Sequence, residues 1–408
     1  MRVVVLFATL AALTAPSAVR AQSWPLTESE ALARLSPASA RVRAIRSSID
    51  VARADVLAAS RWPNPRVTFD REAVAGVTEN MVMVSQALPI TGRREFEVHA
   101  ATALVDASSR RADEALRRAR ADLRSAFAQL VSAQRREGEL TAARDRLRGL
   151  ADVLSKREAA GDAAGFDRLR AEREVIDLDA DRAAVAIERA RAQAALSAFF
   201  GDAIDPSTIV AVDTSTARPE LPAVTALVEQ AESTRGELLA LRKEIDAAHL
   251  SGQAADRRRI PEPEVVAGMK SSNAAGGDVG GVFTVQASIP LFDRSRPERA
   301  LAEARAAQAA AQAEAFRLVL RSEIAALRAA VIERRDTAER YRTAYGNGTD
   351  QIERIAQVSY DAGERGILEL LDAYRTGALA RVRQAALDAA VRQAEIELEF
   401  VSGWEIPS

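Results

Sequence analysis

Apolar residues in this chain follow two spacings, and the points where one gives way to the other organise the rest. Over residues 27–61, Ile45, Ile49, Ala52, Val56 and Ala59 recur at threes and fours, the period of a helix with one buried face. Thr27 is placed to cap its start, with Glu30 as its capping-box partner. The pattern stops at Trp62-Pro63-Asn64-Pro65, because each proline pushes the residue before it out of the helical region. Residues 66–89 then alternate, Val67 and Phe69 against Thr68, Asp70 and Glu72, and predict a hairpin of two strands parted by a loop at 76–80. Residues 93–157 hold no proline, and Leu116, Leu123 and Leu130, then Leu140, Leu147 and Leu154, repeat every seven residues. That spacing predicts a coiled-coil-like helix roughly 95 Å long, with a shift of register near Gly138. A break bearing Gly161 and Gly165 follows, and then a return helix over 166–199.

The same plan occurs a second time. A helix over 238–259 is stopped by Ile260-Pro261-Glu262-Pro263, and a hairpin over 264–290 sets Phe283, Val285, Ala287 and Ile289 against Thr284, Gln286 and Ser288. A long helix over 297–360 carries Leu320/Leu327 and Ile324/Val331 at heptad spacing, with a kink expected at Gly346-Asn347-Gly348. A break bearing Gly363 and Gly366 precedes a return helix over 367–401. At the strand-to-helix junctions Gln286-Ala287 matches Gln86-Ala87, Pro290 matches Pro89 and Arg294 matches Arg93, while Gly403 matches Gly201 at the ends. The chain therefore divides into a first repeat at 22–201, a connection at 202–222, a second repeat at 223–403 and a tail at 404–408.

Lengths then set the architecture. The helix before each hairpin and the return helix after each break are about half as long as the descending helix, so the two stacked end to end would match it. The fold class is mainly α with a small β part, and the strands are apolar on one face at the length that crosses an outer membrane, less cleanly in the first hairpin's second strand, where Val82 and Val84 share a face with Gln86. Four strands cannot close a transmembrane barrel. Two chains would give eight strands and a filled interior, whereas three give twelve and a passage.

Composition narrows the setting. Residues 1–21 have a basic start at Arg2, an apolar run from Val3 to Leu13 and a small-residue end at Ala21, the pattern of a secretory leader cleaved after Ala21. The chain has no cysteine, so it holds no disulfide, thiolate metal site or lipid-bearing cysteine. Its two histidines, His99 and His249, are not at ligand spacing, so neither metal nor cofactor is expected. A net charge of −2 gives no basic footprint for nucleic acid.

The duplicated junction, Gln-Ala-(x)-Leu/Ile-Pro before a basic helix start, in an exported and internally repeated chain, resembles the outer-membrane factors of the TolC type, and among them the cation-efflux, CzcC-like branch. The resemblance implies a homotrimer with a 12-stranded barrel in outer-membrane lipid and a periplasmic helical barrel. It implies partners too, namely a periplasmic adaptor and an inner-membrane pump of the resistance-nodulation-division type. Matched residue by residue, Tyr360 and Arg365 fall on the latch positions of the closed periplasmic aperture, and Glu369 and Asp372 on its ring of acids, with Glu369 standing where the family has Asp. Gly161, Gly165, Gly363 and Gly366 mark the periplasmic turns where an adaptor would dock, and Gln86, Pro89, Gln286 and Pro290 mark the junctions between barrel and helices. Trp62, at the foot of the first hairpin, is expected at the membrane interface. The resulting expectation is a passive exit duct and no enzyme; the alternatives are a periplasmic coiled-coil scaffold that never enters the membrane and the outer channel of a type I secretion system.

Overall fold

The structure, a computed structural model, describes residues 23–161, 165–200, 204–214 and 219–405. The expected leader and Gly201 lie outside these residues. Two helices dominate, α3 at Arg93–Ala159 and α7 at Arg296–Asp361, of 67 and 66 residues. At 1.5 Å per residue each is about 100 Å long. The heptad leucines explain why α3 holds together over that length: Leu123, Leu130, Leu140, Leu147 and Leu154 are all fully buried. The helix α7 runs through residues 346–348 without a break in its turns, so the kink expected at the paired glycines does not interrupt it.

Shorter helices lie along the long ones. The helix α2 (Ala40–Ser60) and the return helix α4 (Gly165–Ser197) both pack on α3; α6 (Gly236–Arg257) and the return helix α8 (Ile367–Ser402) both pack on α7 and on α3. The array therefore runs from α2 and α4, through α3, then α6 and α8, to α7. Its outer members keep apolar residues in solvent, Val51 and Leu57 on α2, Ile176 and Ile187 on α4, and Leu318, Val319 and Ile355 on α7.

The helix expected over 27–61 is in fact two: α1 at Glu28–Arg34 and α2, parted at residues 35–39, where Pro37 forbids continuous helix. Thr27 does cap α1, with Glu30 reciprocating in a capping box. The second repeat is broken in the same way. A separate helix α5 (Val224–Thr234) precedes α6, and Arg235 between them is extended, its buried guanidinium 2.6 Å from Glu114 on α3 and donating to the Val401 carbonyl on α8. Two short parallel strands were not expected either: β1 (Trp24–Thr27) pairs with β4 (Ile209–Val212), joining the start of the chain to the connection between the repeats. Leu26 and Ile209 from these strands are buried with Leu123, Phe127, Leu130 and Leu196 in a core midway along α3, and Leu227, Leu238, Leu320, Ile324 and Leu398 form the corresponding core on α7.

At one end of the array sits a four-stranded antiparallel sheet in the order β2 (Arg66–Val74), β3 (Val77–Ala87), β5 (Pro263–Ser272) and β6 (Asp278–Ala287). The first hairpin turns in two residues, Ala75 and Gly76, both with positive φ, so the loop is tighter than the expected 76–80. The register puts Val67 and Phe69, Val82 and Val84, Val265 and Met269, and Phe283 and Val285 on one face. Arg66, Asp70, Glu79, Lys270 and Thr284 occupy the other, where Lys270 and Glu79 pair at 2.6 Å. Both edge strands, β2 and β6, lack an outer neighbour within the chain.

The register also corrects the match between repeats. Gln86 shares the apolar face with Val84, whereas Gln286 lies on the polar face opposite Glu264, to which its amide donates at 2.8 Å. By face and by distance to the proline, the counterpart of Gln86 is Ala287. Pro89 and Pro290 are true equivalents, because Ile90 N–H donates to Leu88 and Leu291 N–H to Ile289, each at 2.9 Å, in the same tight turn around the proline. Beyond them the second repeat carries two extra residues: the left-handed residue ahead of the long helix is Gly92 in one and Ser295 in the other. Arg93 therefore corresponds to Arg296 and not to Arg294.

Candidate functional site

The two ends of the helical array and the seam between sheet and helices hold the residues singled out from sequence. At the far end from the sheet, α3 and α7 finish alike. Ala160 and Ala362 close the last turns, and Gly161 and Gly363 follow with φ of +84° and +75°, a left-handed step that glycine adopts without steric cost. Gly165 and Gly366 open the return helices, and a Cβ on Gly165 would overlap the Glu158 carboxylate, which is held by Arg168 at 2.6 Å.

Tyr360 is half-buried in the tip core with Leu154, Ile367 and Leu370, and the Arg157 guanidinium of α3 lies 5.9 Å from its ring centre. Arg365 is exposed and, although its backbone N–H donates to the Ser359 carbonyl, its side chain pairs with none of the described residues, so within one chain the two latch side chains do not meet. Glu369 and Asp372 are exposed in the first turns of α8, three residues apart and hence on one face, with no cation paired to them among the described residues. The Glu369 carboxylate folds back toward the helix start, 3.2 Å from where a Cβ on Gly366 would sit. In the first repeat Asp167 and Arg170 occupy the corresponding turn, which is not acidic in the same way.

At the sheet end, the Gln86 amide donates to the carbonyls of Pro63 and Ala87 at 3.0 and 2.9 Å, so a polar side chain on the apolar face is used up at the foot of the hairpin. Arg93 bridges Glu97 and Glu262 at 2.9 and 3.2 Å, and Thr91 donates to Glu262, so the start of α3 is tied to the second repeat's proline hinge. Arg94 donates to the Ser60 carbonyl and lies 5.6 Å from the Trp62 ring, which is otherwise half exposed.

Two charged hubs inside the array were not anticipated. Midway along, Arg124 on α3 is shared by Glu28 on α1, at 2.5 Å, and Glu399 on α8, while Arg392 takes the other Glu28 oxygen at 2.9 Å. Burial pushes the Glu28 carboxyl up, but Arg392 and Arg124 together outweigh it and hold it below the ordinary carboxylate range. Glu399 is more enclosed, and there burial outweighs the Arg124 bond and raises its pKa. Nearer the tip, the buried Glu353 of α7 pairs with Arg146 of α3 at 2.8 Å and Arg381 of α8 at 2.5 Å. Gly377 makes room for it, since a Cβ there would overlap the Glu353 carboxylate. Gly377, the lone glycine inside the return helix α8, is the available sequence signal for this second hub.

A cleft of about 430 Å³ opens between α3, α7 and α8, but its charged lining, including Arg342 with Asp388 at 2.7 Å and Arg135 with Asp213, is already paired. Among the described residues no cluster of His, Cys, Asp or Glu could hold a metal ion, and no helix is long and apolar enough to cross a membrane.

An open sheet with one apolar face, standing on an α-array whose two edges are unpartnered within the chain, is a TolC-like fold. The model of the outer membrane efflux protein family matches residues 227–403. The chain is 24% identical over 385 residues to the cobalt-zinc-cadmium resistance protein CzcC of Cupriavidus metallidurans, covering 94% of this chain and 91% of that one. Among solved structures it resembles a membrane protein from Pseudomonas aeruginosa, with a TM-score of 0.75 at 21% identity over 92% of this chain and 93% of the other. The channel protein CusC gives a TM-score of 0.73 at 17% identity over 96% and 95%.

Proposed function

We propose that this chain is the outer-membrane exit duct of a tripartite efflux system, working as a homotrimer. The observation that carries the proposal is the coincidence of edges: the sheet is unpaired at β2 and β6 on the same molecule whose helical array is unpartnered at α2, α4 and α7. A sheet edge in lipid leaves backbone groups without partners, at a cost of several kcal/mol each. Alternation of direction through β2, β3, β5 and β6 leaves β6 antiparallel to the β2 of a next copy, so one rotation would close sheet and helices together. Three copies give twelve strands and a passage. The apolar face would meet lipid, the polar face would line the lumen, and the helical barrel would stand in the periplasm, reached after export by the leader at 1–21. Energy would come from an inner-membrane pump of the resistance-nodulation-division type, coupled through a periplasmic adaptor docking at the glycine turns. Resemblance to CzcC favours metal cations as cargo.

Glu369 and Asp372 would then form six carboxylates around the periplasmic aperture, concentrating cations at its mouth. Planar-bilayer recording tests this. Glu369→Gln with Asp372→Asn is expected to lower the cation preference, most clearly at low salt, where screening is weakest. Tyr360→Phe with Arg365→Ser is expected to raise conductance by loosening the closed tip. If both double variants match the parent at low salt, the aperture assignment fails. Recovery of the wild-type chain from the soluble periplasmic fraction would favour the scaffold reading instead.

A further inference from the structure

The two residues by which the second junction exceeds the first have built an exposed apolar tip. Phe292 is fully exposed, and Ile289 and Leu291 beside it are 70% and 63% exposed. The tip is held in shape and does not trail: the Leu291 N–H bond to Ile289 fixes one side, and the Asp293 carboxylate accepts from the backbone of buried, left-handed Ser295 at 3.0 Å on the other. It is flanked by the exposed guanidinium groups of Arg294 and Arg296, neither of which pairs with a carboxylate among the described residues. Ile289 also continues the odd-numbered series Phe283, Val285 and Ala287 on the apolar face of β6, so the tip is continuous with the surface assigned above to lipid.

We infer that loop 288–295 is an anchoring site for anionic phospholipid in the periplasmic leaflet. This rests on the proposed membrane crossing of the sheet. Leu291 and Phe292 enter the acyl boundary just below the barrel, and Arg294 and Arg296 take the headgroup phosphate through charge-assisted hydrogen bonds. Such a site suits a chain that has no cysteine to carry a lipid. An apolar wedge and a pair of cations supply the two signals that stable membrane attachment requires. The shorter first junction has Ile90 at the place of Leu291 but no counterpart to Phe292, and its Arg93 is committed to Glu97 and Glu262.

Native mass spectrometry of the detergent-extracted oligomer, titrated separately with phosphatidylglycerol and phosphatidylcholine, tests the site. The wild type is expected to hold phosphatidylglycerol more tightly. Arg294→Gln with Arg296→Gln is expected to weaken it about fivefold per arginine while leaving phosphatidylcholine unchanged. Phe292→Ser is expected to weaken both lipids. Equal binding of the two lipids by the wild type, or unchanged phosphatidylglycerol binding in the arginine variant, would overturn the site. If Phe292→Ser instead dissociates lipid-free oligomer without altering lipid binding, the tip is a contact between copies and the inference fails. Membrane fractionation of the wild type separates these failures from failure of the underlying reading, which would show as a chain absent from the outer membrane.

Discussion

Gly268→Val is expected to abolish membrane insertion while leaving most of the helical signal intact. Gly268 lies on β5 directly opposite Met83 of β3, in the ladder that joins the hairpins of the two repeats. A Cβ there would overlap the Val82 carbonyl and stand 2.6 Å from the Met83 sulfur and 2.9 Å from its Cα. A thioether can move aside, but two of the three obstacles are backbone, so relief requires β3 and β5 to separate. Separation exposes two further edges, each with N–H and C=O groups that hydrocarbon cannot satisfy. The amount of oligomer in the outer-membrane fraction is expected to fall more than about tenfold, since several groups at several kcal/mol each are lost. Helical circular dichroism should change little, because the cores on α3 and α7 lie elsewhere. Gly281→Val on β6 is the control: its Cβ position has nothing within 4 Å, and normal insertion is expected. Normal insertion of Gly268→Val would mean that the β3–β5 ladder is not what unites the repeats.

The second large effect concerns Arg124. Arg124→Met would leave Glu399, with a side chain only 5% exposed, facing Glu28 without the cation between them. Removing one partner of a buried pair costs about 3–5 kcal/mol, because the remaining charge is poorly solvated, and here Glu399 keeps only the attraction of Arg392, which is itself paired with Glu28. Denaturant unfolding followed by circular dichroism should show that loss, and Glu399→Gln added to Arg124→Met should recover much of it. The pH dependence has two opposed parts. Glu28 has a lowered folded-state pKa, so its contribution is present above the unfolded value and is lost as pH falls through the folded one. Glu399 has a raised folded-state pKa, so its cost is absent in acid and grows as pH rises from the unfolded value through the folded one. With Arg124 gone the Glu399 part is expected to dominate, and the variant should gain stability relative to the parent as the pH is lowered from 7 toward about 4.3, the ordinary Glu value. A deficit that does not depend on pH would show that packing, and not the buried acid, accounts for the loss.

Particular residues show what could be read from the chain and what could not. The long helices were legible because Leu116 through Leu154 announce a repeat of seven, and the sheet because Phe283 and Val285 alternate with polar neighbours. Helix interruptions were harder. Pro37 lay in plain view yet was outweighed by the periodicity on either side of it, and nothing local marks Arg235, which is extended because its side chain serves Glu114 and Val401. Strands of four residues such as β1 and β4 carry too few alternations to register; pairing across the chain makes them. The Gln-Ala match failed by one residue because identity of letters ignores which face a side chain takes, and a slip of one in a strand reverses every face. The hubs join Arg124 to Glu399, 275 positions on, and Arg146 to Glu353, 207 positions on, so the spacing of charges along the chain does not reveal them, and Gly377 is the one local mark of the second. At the tip, sequence located Glu369 and Asp372 on one face, but that Tyr360 lies near Arg157 on the neighbouring long helix is a fact of packing.

The order of strands bears finally on how the molecule comes to exist. In the β3–β5 ladder Met83 meets Gly268, a separation of 268 − 83 = 185 residues, while the first hairpin pairs Val74 with Val77. Contacts so distant along the chain form late, after local hairpins and helical turns. An exported chain of this topology would cross into the periplasm with its first hairpin formed but its inner edge bare, and would wait for nearly half of the polypeptide to follow. During that interval β3 is a free template for any other strand. A periplasmic chaperone that shields the first hairpin until β5 emerges would therefore shorten the period of greatest risk in the protein's biogenesis.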